Sequence, residues 1–597
     1  MRSVGCSYML LAVAICVSAE TLAAQTRSIW SGEDPDFSTG DVSPDGRYLS
    51  DIDWDSGDLA IVDLETGESR GLTGRGYEAG GYAWSSAFST DGRRLAVAWY
   101  LDEADGHELR IVDADGTGSR VLLPAGGDPY FVDPVAWSPS DEHVLVAMLG
   151  RDLVWRIAVV SVDDGSVRTL KTLGWLAPGG EQTYPNADWS PDGKYVAYDY
   201  RPDLAGRDRD VFLLAVDGSR DVALLAGPAA DRLLGWTPDG RHFLFHSDRG
   251  GTAGIWRLPV RDGEAAGDPE LVLADVGALV PLGFTRSGYA YGAPLEEPRL
   301  HSVALDPEGG GVAGSPRPVD DPVIRRSLSG DWSPDGTRLV YVAFEPPPSD
   351  VETLVIRSAE GEAIREMPLS PTMHTSTATI DWIDERTLLV FAVEKGSPGV
   401  YRLDPTDGSF ERVPGRDTDA IGSLKWFEAG PGGRTVYLLG PSEGDGPPAL
   451  IARDTETGEQ RVIANVRTDD RSLAVSPDGA EVAFIARDTD AGVLELVALS
   501  TSGDGERRTI HRADRGERIG WPVAWTPDGT RIVLSRRPVG GEPGLWAIAA
   551  NGQGEPVRLG GGEWCCGFRD LRFHPDGRRL LFSTGSSRGE VRILGID

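Results

Sequence analysis

The sequence is poor in cysteine, and beyond its N-terminal segment it contains no long hydrophobic run. Cys6 and Cys16 lie in that segment, and Cys565 and Cys566 are adjacent near the other end of the chain. Two neighbouring cysteines without a nearby pair of histidines make a poor zinc site. In an oxidising compartment they can close a strained, reducible disulfide; a loop clamp and two unpaired thiols are the simpler alternatives. The lack of a second apolar run excludes a further membrane-spanning helix.

Lysine is scarce, and acidic residues are in large excess. The chain has four lysines among its 58 basic residues, against 93 acidic residues, and its formal net charge is −35. Binding to nucleic acid or to an anionic membrane surface requires a basic face, so this composition argues against both partners. The acidic residues are spread through the turns rather than gathered in a tail, which suits a soluble exported protein.

Residues 1–24 have the pattern of a cleavable secretory signal peptide. Arg2 precedes an apolar run from Tyr8 to Val17, and small residues follow. This pattern predicts a periplasmic or secreted location. Cleavage is compatible with three positions, after Ala19, Ala23 or Ala24. A lipid anchor on Cys16 is not expected, because the bulky Ile15 stands where a lipoprotein signal has a small residue.

The most regular element of the sequence is the tight turn Ser-Pro-Asp-Gly at 333–336, preceded by Asp331 and Trp332. Proline presets the backbone for the second position of a turn, aspartate caps its own backbone, and glycine accepts the left-handed conformation that closes the bend. The residues after the turn are β-branched and aromatic, which indicates a strand. The unit therefore predicts a β-hairpin.

This turn recurs along the whole chain. Its copies are spaced 46 to 52 residues apart. Each copy is identified by its second or third turn residue, and these residues are Pro44, Thr90, Pro139, Pro191, Pro238, Arg286, Pro334, Asp384, Pro431, Pro477, Pro527 and Pro575. Several copies have diverged, yet the period persists. A repeat of 40–50 residues is typical of propeller blades and other repeat architectures.

Each period contains four short strands. In the third period these are residues 134–137, 143–148, 155–160 and 167–170. Four antiparallel strands in about 48 residues predict one blade of an all-β propeller. The aromatic residue of each first strand is expected to pack between blades; these residues are Phe88, Trp137, Trp189, Trp236, Phe284, Trp332, Trp525 and Phe573.

Twelve blades exceed the four to eight that are usual for one ring. We therefore predict two six-bladed propellers in tandem, residues 25–313 and 314–597, divided in a glycine-rich stretch. Residues 26–30 are predicted to complete the sixth blade as its fourth strand, and residues 315–319 to complete the twelfth. Residues 591–597 are predicted to be the third strand of the last blade. A seven-plus-five division, or a ring latched across the two halves, remains an alternative.

The repeats resemble the WD-like repeat of the TolB propeller, which is related to the propeller domains of prolyl oligopeptidase and dipeptidyl peptidase. The residues that carry this resemblance are 236–241, 247–251 and 255–258. The resemblance implies a periplasmic protein-binding scaffold with six-bladed rings. Unlike TolB, the chain begins its repeats soon after the signal peptide, without a separate α/β domain. Only 22 residues follow Pro575, so a peptidase-type hydrolase domain is not expected.

No catalytic, metal-binding or cofactor-binding residue is predicted. Ser587 lies in a G-x-S-x-G pattern, but no histidine follows it and its predicted context is a hairpin. His242 and His246 are close enough for one strand face, which leaves a metal pair as an alternative to an ordinary surface. The aspartates in 53–58 have a calcium-like spacing but no distal glutamate, so a hairpin turn is the simpler interpretation.

The candidate binding residues are aromatics in the connections that lead into the first strands of consecutive blades. They are Tyr77, Tyr82, Tyr130, Phe131, Trp175 and Tyr184, and a thinner counterpart in the second ring is Trp521, Trp564 and Phe568. In a propeller these connections surround one end of the central channel, so we expect the first six to cluster. Aromatics are favoured contact residues for proteins and sugars. Packing of the loops or plugging of the channel is the alternative.

Together these patterns favour an exported, monomeric, non-catalytic scaffold that binds a protein or peptide. A propeller lyase or hydrolase acting on polysaccharide or peptide is one alternative, with histidines and acidic residues facing the channel as its site. A carbohydrate-binding or ligand-sensing module is another. Histidine and acidic side chains converging at one channel mouth would favour the enzyme.

Overall fold

The structure is a computed structural model. It describes residues 26–33, 40–54, 56–74, 76–101, 106–152, 154–175, 185–201, 209–294, 299–306, 311–319, 326–344, 352–368, 380–394, 397–415, 426–441, 448–466, 473–488, 493–503, 505–515, 517–561, 570–584 and 588–596. The chain is all-β, with two short 3-10 helices in these ranges, Tyr77–Ala79 and Pro431–Gly433. Within the same ranges, no helix has the length and apolar character needed to cross a bilayer.

Six antiparallel sheets form the first group. Sheet 1 contains β2 (Tyr48–Asp53), β3 (Asp58–Asp63) and β4 (Ser69–Gly71). Sheet 2 contains β5 (Gly81–Phe88), β6 (Arg94–Leu101), β7 (Gly106–Asp113) and β8 (Ser119–Leu123). Sheet 3 contains β9 (Phe131–Trp137), β10 (His143–Leu149), β11 (Val154–Ser161) and β12 (Val167–Trp175). Sheet 4 contains β13 (Ala187–Trp189), β14 (Tyr195–Tyr200), β15 (Asp210–Ala215) and β16 (Asp221–Leu225). Sheet 5 contains β17 (Asp231–Trp236), β18 (His242–Ser247), β19 (Gly254–Arg261), β20 (Glu264–Ala265) and β21 (Glu270–Leu273). Sheet 6 contains β22 (Val280–Thr285), β23 (Gly288–Pro294), β48 (Arg588–Leu594) and β1 (Thr26–Glu33).

Six further sheets form the second group. Sheet 7 contains β26 (Arg326–Trp332), β27 (Arg338–Phe344), β28 (Glu352–Ser358) and β29 (Ala363–Pro368). Sheet 8 contains β30 (Ile380–Asp384), β31 (Thr387–Glu394), β32 (Ser397–Leu403) and β33 (Phe410–Arg412). Sheet 9 contains β34 (Trp426–Ala429), β35 (Thr435–Pro441), β36 (Pro448–Asp454) and β37 (Gln460–Asn465). Sheet 10 contains β38 (Ala474–Val475), β39 (Glu481–Asp488), β40 (Val493–Ser500) and β41 (Arg507–Arg512). Sheet 11 contains β42 (Arg518–Trp525), β43 (Arg531–Arg537), β44 (Gly544–Ala549) and β45 (Val557–Gly561). Sheet 12 contains β46 (Leu571–Phe573), β47 (Arg579–Thr584), β24 (Arg299–Ala304) and β25 (Arg317–Pro318).

The repeated turn forms as its residues predict. At 333–336 the Gly336 amide donates to the Ser333 carbonyl oxygen at 2.7 Å, and Gly336 has a φ of 70°. Asp335 accepts from the Ser333 hydroxyl at 2.6 Å and from the Thr337 amide at 2.9 Å. Each turn joins the first strand of a sheet to the second, so all turns lie at one end of their sheets. We call the opposite end the loop end.

Neighbouring sheets pack through their first strands. In the first group β5, β9, β13, β17 and β22 contact one another in that order, and β5 also contacts β2. β2 is the second strand of sheet 1, because the first strand is reduced to the Val42–Leu49 bridge before the turn at 43–46. Sheet 6 returns to sheet 1 through a core that includes Leu282 and Val42. In the second group β26, β30, β34, β38, β42 and β46 follow one another, and β46 contacts β26. The first-strand aromatics lie in these contacts as predicted: the Trp137 indole donates to the Ala87 carbonyl oxygen of the preceding sheet at 2.9 Å.

Two strands are exchanged between the groups. β24 follows β23 in sequence, but it pairs with β47 in sheet 12. β48 follows β47 in sequence, but it pairs with β23 in sheet 6. β23 and β47 end at the loop ends of their sheets, and β24 and β48 begin there. The prediction that 591–597 is the third strand of the last sheet was therefore wrong, and the pairing crosses the two halves of the chain instead.

The outermost strands of the two sheets are those expected from the sequence. β1 pairs with β48 as the fourth strand of sheet 6, and β25 pairs with β24 as the fourth strand of sheet 12. The sequence did not predict this exchange, because β24 and β48 are both short third strands that follow the same kind of second strand. Their local pattern does not record which second strand they pair with.

Candidate functional site

Two of the predicted binding residues lie at the loop end of sheet 2 and contact each other. Tyr77 is in the first 3-10 helix and Tyr82 is in β5, and their ring centroids are 5.6 Å apart. Both side chains are half-buried. Gly57, with a φ of 76°, lies under both rings, and a side chain at this position would collide with them. The hairpin between β2 and β3 therefore supports the pair from below.

Tyr130 and Phe131 lie at the start of sheet 3, beside the first pair. Phe131 is buried, and its ring lies 4.6 Å from the His107 ring and 5.8 Å from the Trp155 ring, both edge to face. Tyr130 packs on the same small core. Phe131 therefore packs beneath the exposed aromatics, which agrees with the alternative that it is a packing residue of the loops.

The remaining predicted aromatics are only partly described. Trp175 is the last residue of β12, and its backbone pairs with Val154 at the loop end of sheet 3; its side chain lies outside the description. Tyr184 lies outside the described residues, as do Trp564 and Phe568, and for Trp521 only the backbone is described. Ser587, Cys565 and Cys566 also lie outside the described residues.

Three aromatics that sequence reasoning missed complete the cluster. Tyr82 contacts Trp54, Trp84 and Tyr100, with ring centroids 6.0, 6.4 and 5.1 Å away. Trp54 follows β2, and Tyr100 is near the end of β6, so both lie at loop ends. Strand alternation could have identified Trp84, because it is two residues from Tyr82 and shares its face of β5. We call this half-buried set the aromatic surface; its members are Trp54, Tyr77, Tyr82, Trp84 and Tyr100.

A protonatable carboxyl group lies next to the aromatic surface. The Ser85 hydroxyl, one residue from Trp84, donates to the Asp133 carboxylate of β9. Removal from water raises the pKa of Asp133 to about 6, although the hydrogen bond from Ser85 opposes this rise. The group therefore changes charge near neutral pH, and it joins sheets 2 and 3.

The second group has a charged cluster on its first strands. Arg572 of sheet 12 donates to Asp381 of sheet 8 at 2.9 Å and to Glu428 of sheet 9 at 2.6 Å. Its Nε lies 3.7 Å from the Asp570 carboxylate. Four sheets thus direct ionisable groups to one place, with Asp331 of sheet 7 as the fourth acid that interacts with Arg572.

Most of these acids hold neighbouring sheets together. Asp331 accepts from the Trp332 amide at 2.9 Å and from the Trp382 amide of the next sheet at 2.8 Å. Asp381 accepts from the Ala429 amide of sheet 9 at 2.8 Å. Burial raises the pKa of Asp331 to about 7 and also raises that of Asp381, although Arg572 opposes both shifts. These carboxyls are engaged with the backbone, which is a structural role.

Glu428 differs from the other acids. One of its oxygens accepts from Arg572, whereas Oε2 is buried and has no hydrogen-bond partner among the described residues. Burial raises the pKa of Glu428 to about 8 despite the attraction of Arg572. No histidine joins the cluster within the part of the chain that the structure describes.

The other sequence candidates have structural environments. The His246 Nε2 lies 3.1 Å from the Val276 carbonyl oxygen, and burial lowers the His246 pKa to about 4. Asp53 stabilises the β2–β3 hairpin by accepting from the Ser56 hydroxyl at 2.7 Å. Asp58 joins the hairpin to the following connection by accepting from the Thr73 hydroxyl at 2.7 Å and the Gly76 amide at 2.8 Å. Asp55 lies outside the described residues. Across the described ranges, no group of three or more His, Cys, Asp or Glu is arranged to hold a metal ion.

Comparisons with known proteins give partial matches. No family model matches it. An uncharacterized protein of Agrobacterium fabrum is 27% identical over 179 residues, which is 26% of this chain and 54% of the relative, so the match spans about half of that relative's length.

Similar solved structures include TolB proteins and a prolyl endopeptidase. A TolB structure from Agrobacterium tumefaciens has 20% identity and a TM-score of 0.32, over 41% of this chain and 83% of its own. TolB from Acinetobacter baumannii has 11% identity and a TM-score of 0.24, over 93% and 80% of the two chains. The endopeptidase has 14% identity and a TM-score of 0.30, over 74% and 58%.

Proposed function

We propose that this protein is an exported, non-catalytic β-propeller scaffold that binds a protein or peptide partner through the aromatic surface. In this proposal sheets 1–6 and 7–12 are two six-bladed rings, corresponding to residues 25–313 and 314–597 apart from the exchanged third strands. We call them the first and second ring from here on. Residues 1–24 are a signal peptide, and the location is periplasmic or secreted.

The observation that carries the proposal is the set of contacts around Tyr82. Four aromatic rings from sheets 1 and 2 meet Tyr82, and all five side chains retain exposure to solvent. Half-buried aromatics supply a large contact area at a low cost in conformational entropy, which is why they dominate partner-binding surfaces. Tyr130, Phe131, Trp175 and Tyr184 extend or support this surface in the proposal.

The ring orientations favour a peptide over a flat sugar chain. The planes of the four neighbours are tilted by 41° to 55° relative to the Tyr82 ring. Tilted rings expose edges as well as faces, which suits branched or aromatic side chains better than the flat face of a sugar chain. A carbohydrate-binding module is therefore the weaker alternative.

Site-specific photocrosslinking tests the proposal. The photoreactive residue p-benzoylphenylalanine replaces Tyr82 in one variant and Tyr195 in a control. Tyr195 is equally half-buried, but it starts β14 at the turn end of sheet 4. After illumination in the host's exported protein fraction, we expect a discrete crosslinked product from position 82 only. The same products from both positions, or none from position 82, would contradict the proposal.

A further inference from the structure

A β-bulge brings a hydroxyl group to the aromatic surface. The pairing of β5 with β6 is interrupted at Trp84, because Tyr82 pairs with Tyr100 whereas Ser85 pairs with Ala98. Paired residues of two strands share a face of the sheet, and so do residues two apart on one strand. The extra residue at the bulge therefore turns Ser85 to the face that carries Tyr82 and Tyr100.

Ser85 connects this face to the carboxylate of Asp133 in the neighbouring sheet. Its hydroxyl donates to Oδ1 of Asp133. Asp133 lies two residues after Phe131 on β9, and the Phe131 ring centroid is 6.3 Å from that of Trp84. The carboxylate therefore lies beside the aromatic surface, where sheet 2 borders sheet 3.

Asp133 keeps one oxygen available for a ligand. The residue is half-buried. Among the described residues, Oδ2 accepts no hydrogen bond and no basic side chain pairs with the carboxylate. Burial raises the pKa of Asp133 because the charged form lacks such a partner. A cation supplied by a ligand would stabilise the charged form.

The arginines on the adjoining third strands are engaged with other acids. Arg110 of sheet 2 pairs with Glu108, and Arg156 of sheet 3 pairs with Asp152. The chain as a whole has a net charge of −35. A basic ligand is therefore attracted to the protein, and Asp133 offers it an acceptor that no resident cation occupies among the described residues.

The aromatic surface already packs against one cation. The Arg518 guanidinium of the second ring donates to the Trp54 carbonyl oxygen, and its central carbon lies 5.9 Å from the centroid of the Tyr77 ring. The faces of tyrosine and tryptophan rings attract cations. Arg151, which follows β10, donates to a backbone carbonyl oxygen. Within the described ranges neither arginine pairs with Asp133, so this surface is compatible with a basic group and the position beside Asp133 is not taken by them.

We propose that Asp133 is a binding residue of the aromatic surface and that the ligand is a peptide segment with a lysine beside an aromatic or apolar side chain. The proposal rests on the proposed function above. The apolar side chain packs on Tyr82 and Trp84, and the lysine ammonium donates to Oδ2 of Asp133. Lysine suits this position better than arginine, because Ser85 already uses the second oxygen that a bidentate guanidinium contact needs.

Two matched fluorescent peptides test the ligand class. One has the sequence Gly-Phe-Lys-Phe-Gly, the other has Gln in place of Lys, and both have blocked termini, so that they differ by one charge. Binding to the full mature chain is measured by fluorescence anisotropy at low and high salt. We expect the Lys peptide to bind about tenfold more tightly, as a charge-assisted hydrogen bond generally allows. Most of this preference should persist at high salt, because screening weakens distant attraction more than a direct, half-buried contact.

Three variants locate the effect. Asp133→Asn should remove the preference for the Lys peptide and leave the affinity for the Gln peptide unchanged, because the asparagine oxygen still accepts from Ser85. Asp163→Asn is the matched control, since Asp163 is exposed at the turn end of sheet 3 and its loss removes the same charge. Tyr82→Ala should weaken both peptides alike. Thermal unfolding of each variant verifies that the fold is retained.

The outcomes separate the two proposals. Equal binding of the two peptides to the wild-type chain, or a preference that survives in Asp133→Asn, would overturn the assignment of Asp133 and leave the proposed function standing. An equal loss of preference in Asp163→Asn would do the same, because the attraction would then come from the net charge alone. Failure of Tyr82→Ala to weaken either peptide would overturn the proposed function itself, and absence of binding by either peptide would overturn the lysine-peptide assignment.

Discussion

The two rings are built from one repeat, yet they differ at the residue three places before the turn proline or its equivalent. In the first ring this residue is Asp41, Ala87, Ala136, Asp188, Gly235 or Gly283, and in the second ring it is Asp331, Asp381, Glu428, Ala474, Ala524 or Arg572. The first ring thus has two acids among small residues. The second has three acids and one arginine, which directly pairs with two of them.

What the rings share is a bridging aspartate. Asp41 accepts from the Phe88 amide at 2.7 Å, and Asp188 accepts from the Trp236 amide at 2.8 Å, just as Asp331 accepts from Trp382. The bridge spans one repeat in each case. A buried carboxyl at this position therefore holds neighbouring sheets together in both rings. Arg572 is an addition in the second ring, where it pairs with two of these carboxyls.

The largest expected effect comes from removing residues 588–597. This deletion removes the third strand of sheet 6 and leaves β1 without its neighbour, although the deleted residues follow the second ring in sequence. We expect hydrogen exchange to show loss of protection in sheets 1–6 and much smaller changes in sheets 8–10. Deleting only 595–597, which follow β48, is the control and should change little. Equal loss in both rings would contradict this separation.

Arg572→Met should have the next largest effect. It leaves Asp381 and Glu428 buried without their cation, which costs about 3–5 kcal/mol of unfolding free energy in comparable cases. Denaturant unfolding measures the loss. Adding Glu428→Gln to the variant should restore part of the stability, because one buried acid is then neutral. The control is R434Q, because Arg434 is exposed at the turn end of sheet 9. A loss no larger than that of the control would show that the cluster does not hold the sheets together by ion pairing.

Asp331→Ala tests the joint that both rings share. It leaves the amides of Trp332 and Trp382 without their acceptor, and we expect a loss of about 2–4 kcal/mol. Asp188→Ala is the matched variant in the first ring and should cost a similar amount, since it removes the same two kinds of acceptor contact. Denaturant unfolding of both variants makes the comparison. A large loss for one and none for the other would refute a common role.

The smallest expected effect is the response to pH. Burial raises the pKa of Asp331 and Asp41 to about 7 and that of Glu428 to about 8. The folded chain therefore holds protons that the unfolded chain releases near pH 4, so stability should fall as pH rises from 5 to 8. Below pH 4 the stability should fall again, because turn aspartates become protonated. Asp335 is an example, since its hydrogen bonds lower its pKa to about 2.

Thermal unfolding across this pH range measures the response. Glu428→Gln should flatten the decline between pH 5 and 8, because it removes the group with the highest of these pKa values. The matched substitution Glu481→Gln lies on the second strand of sheet 10, outside the cluster, and should leave the pH profile unchanged. Identical profiles for wild type and Glu428→Gln would refute the contribution of this glutamate.

The repeat made much of this fold predictable from sequence. The turn residues at 333–336 and their recurrence predicted the strands, the order of the strands within most sheets and the packing role of Trp137. The exchange of β24 and β48 was not predictable, because pairing between equivalent third and second strands depends on contacts far away in sequence. The exchanged and the unexchanged pairing differ in topology but hardly at all in local sequence pattern.

The candidate site was predicted in part for a similar reason. Tyr77 and Tyr82 were found because the sequence places them in a predicted connection, where exposed aromatics are conspicuous, although Tyr82 lies in β5. Trp84 and Tyr100 lie within strands, where aromatics are usually core residues, so only the three-dimensional arrangement distinguishes them. The bridging role of Asp331 was missed because its partner amide lies one repeat away, at Trp382, and the turn that follows Asp331 explained the motif without it.

The exchange of β24 and β48 also sets the order in which the molecule can be finished. A chain emerging from a ribosome or a translocation pore presents sheets 1–5 first, but sheet 6 waits for Arg588–Leu594, which follow the strands of the second ring in sequence. The first ring therefore closes only after most of the second ring has been made. Until then the edge of β23 is exposed, and pairing with β48 covers it.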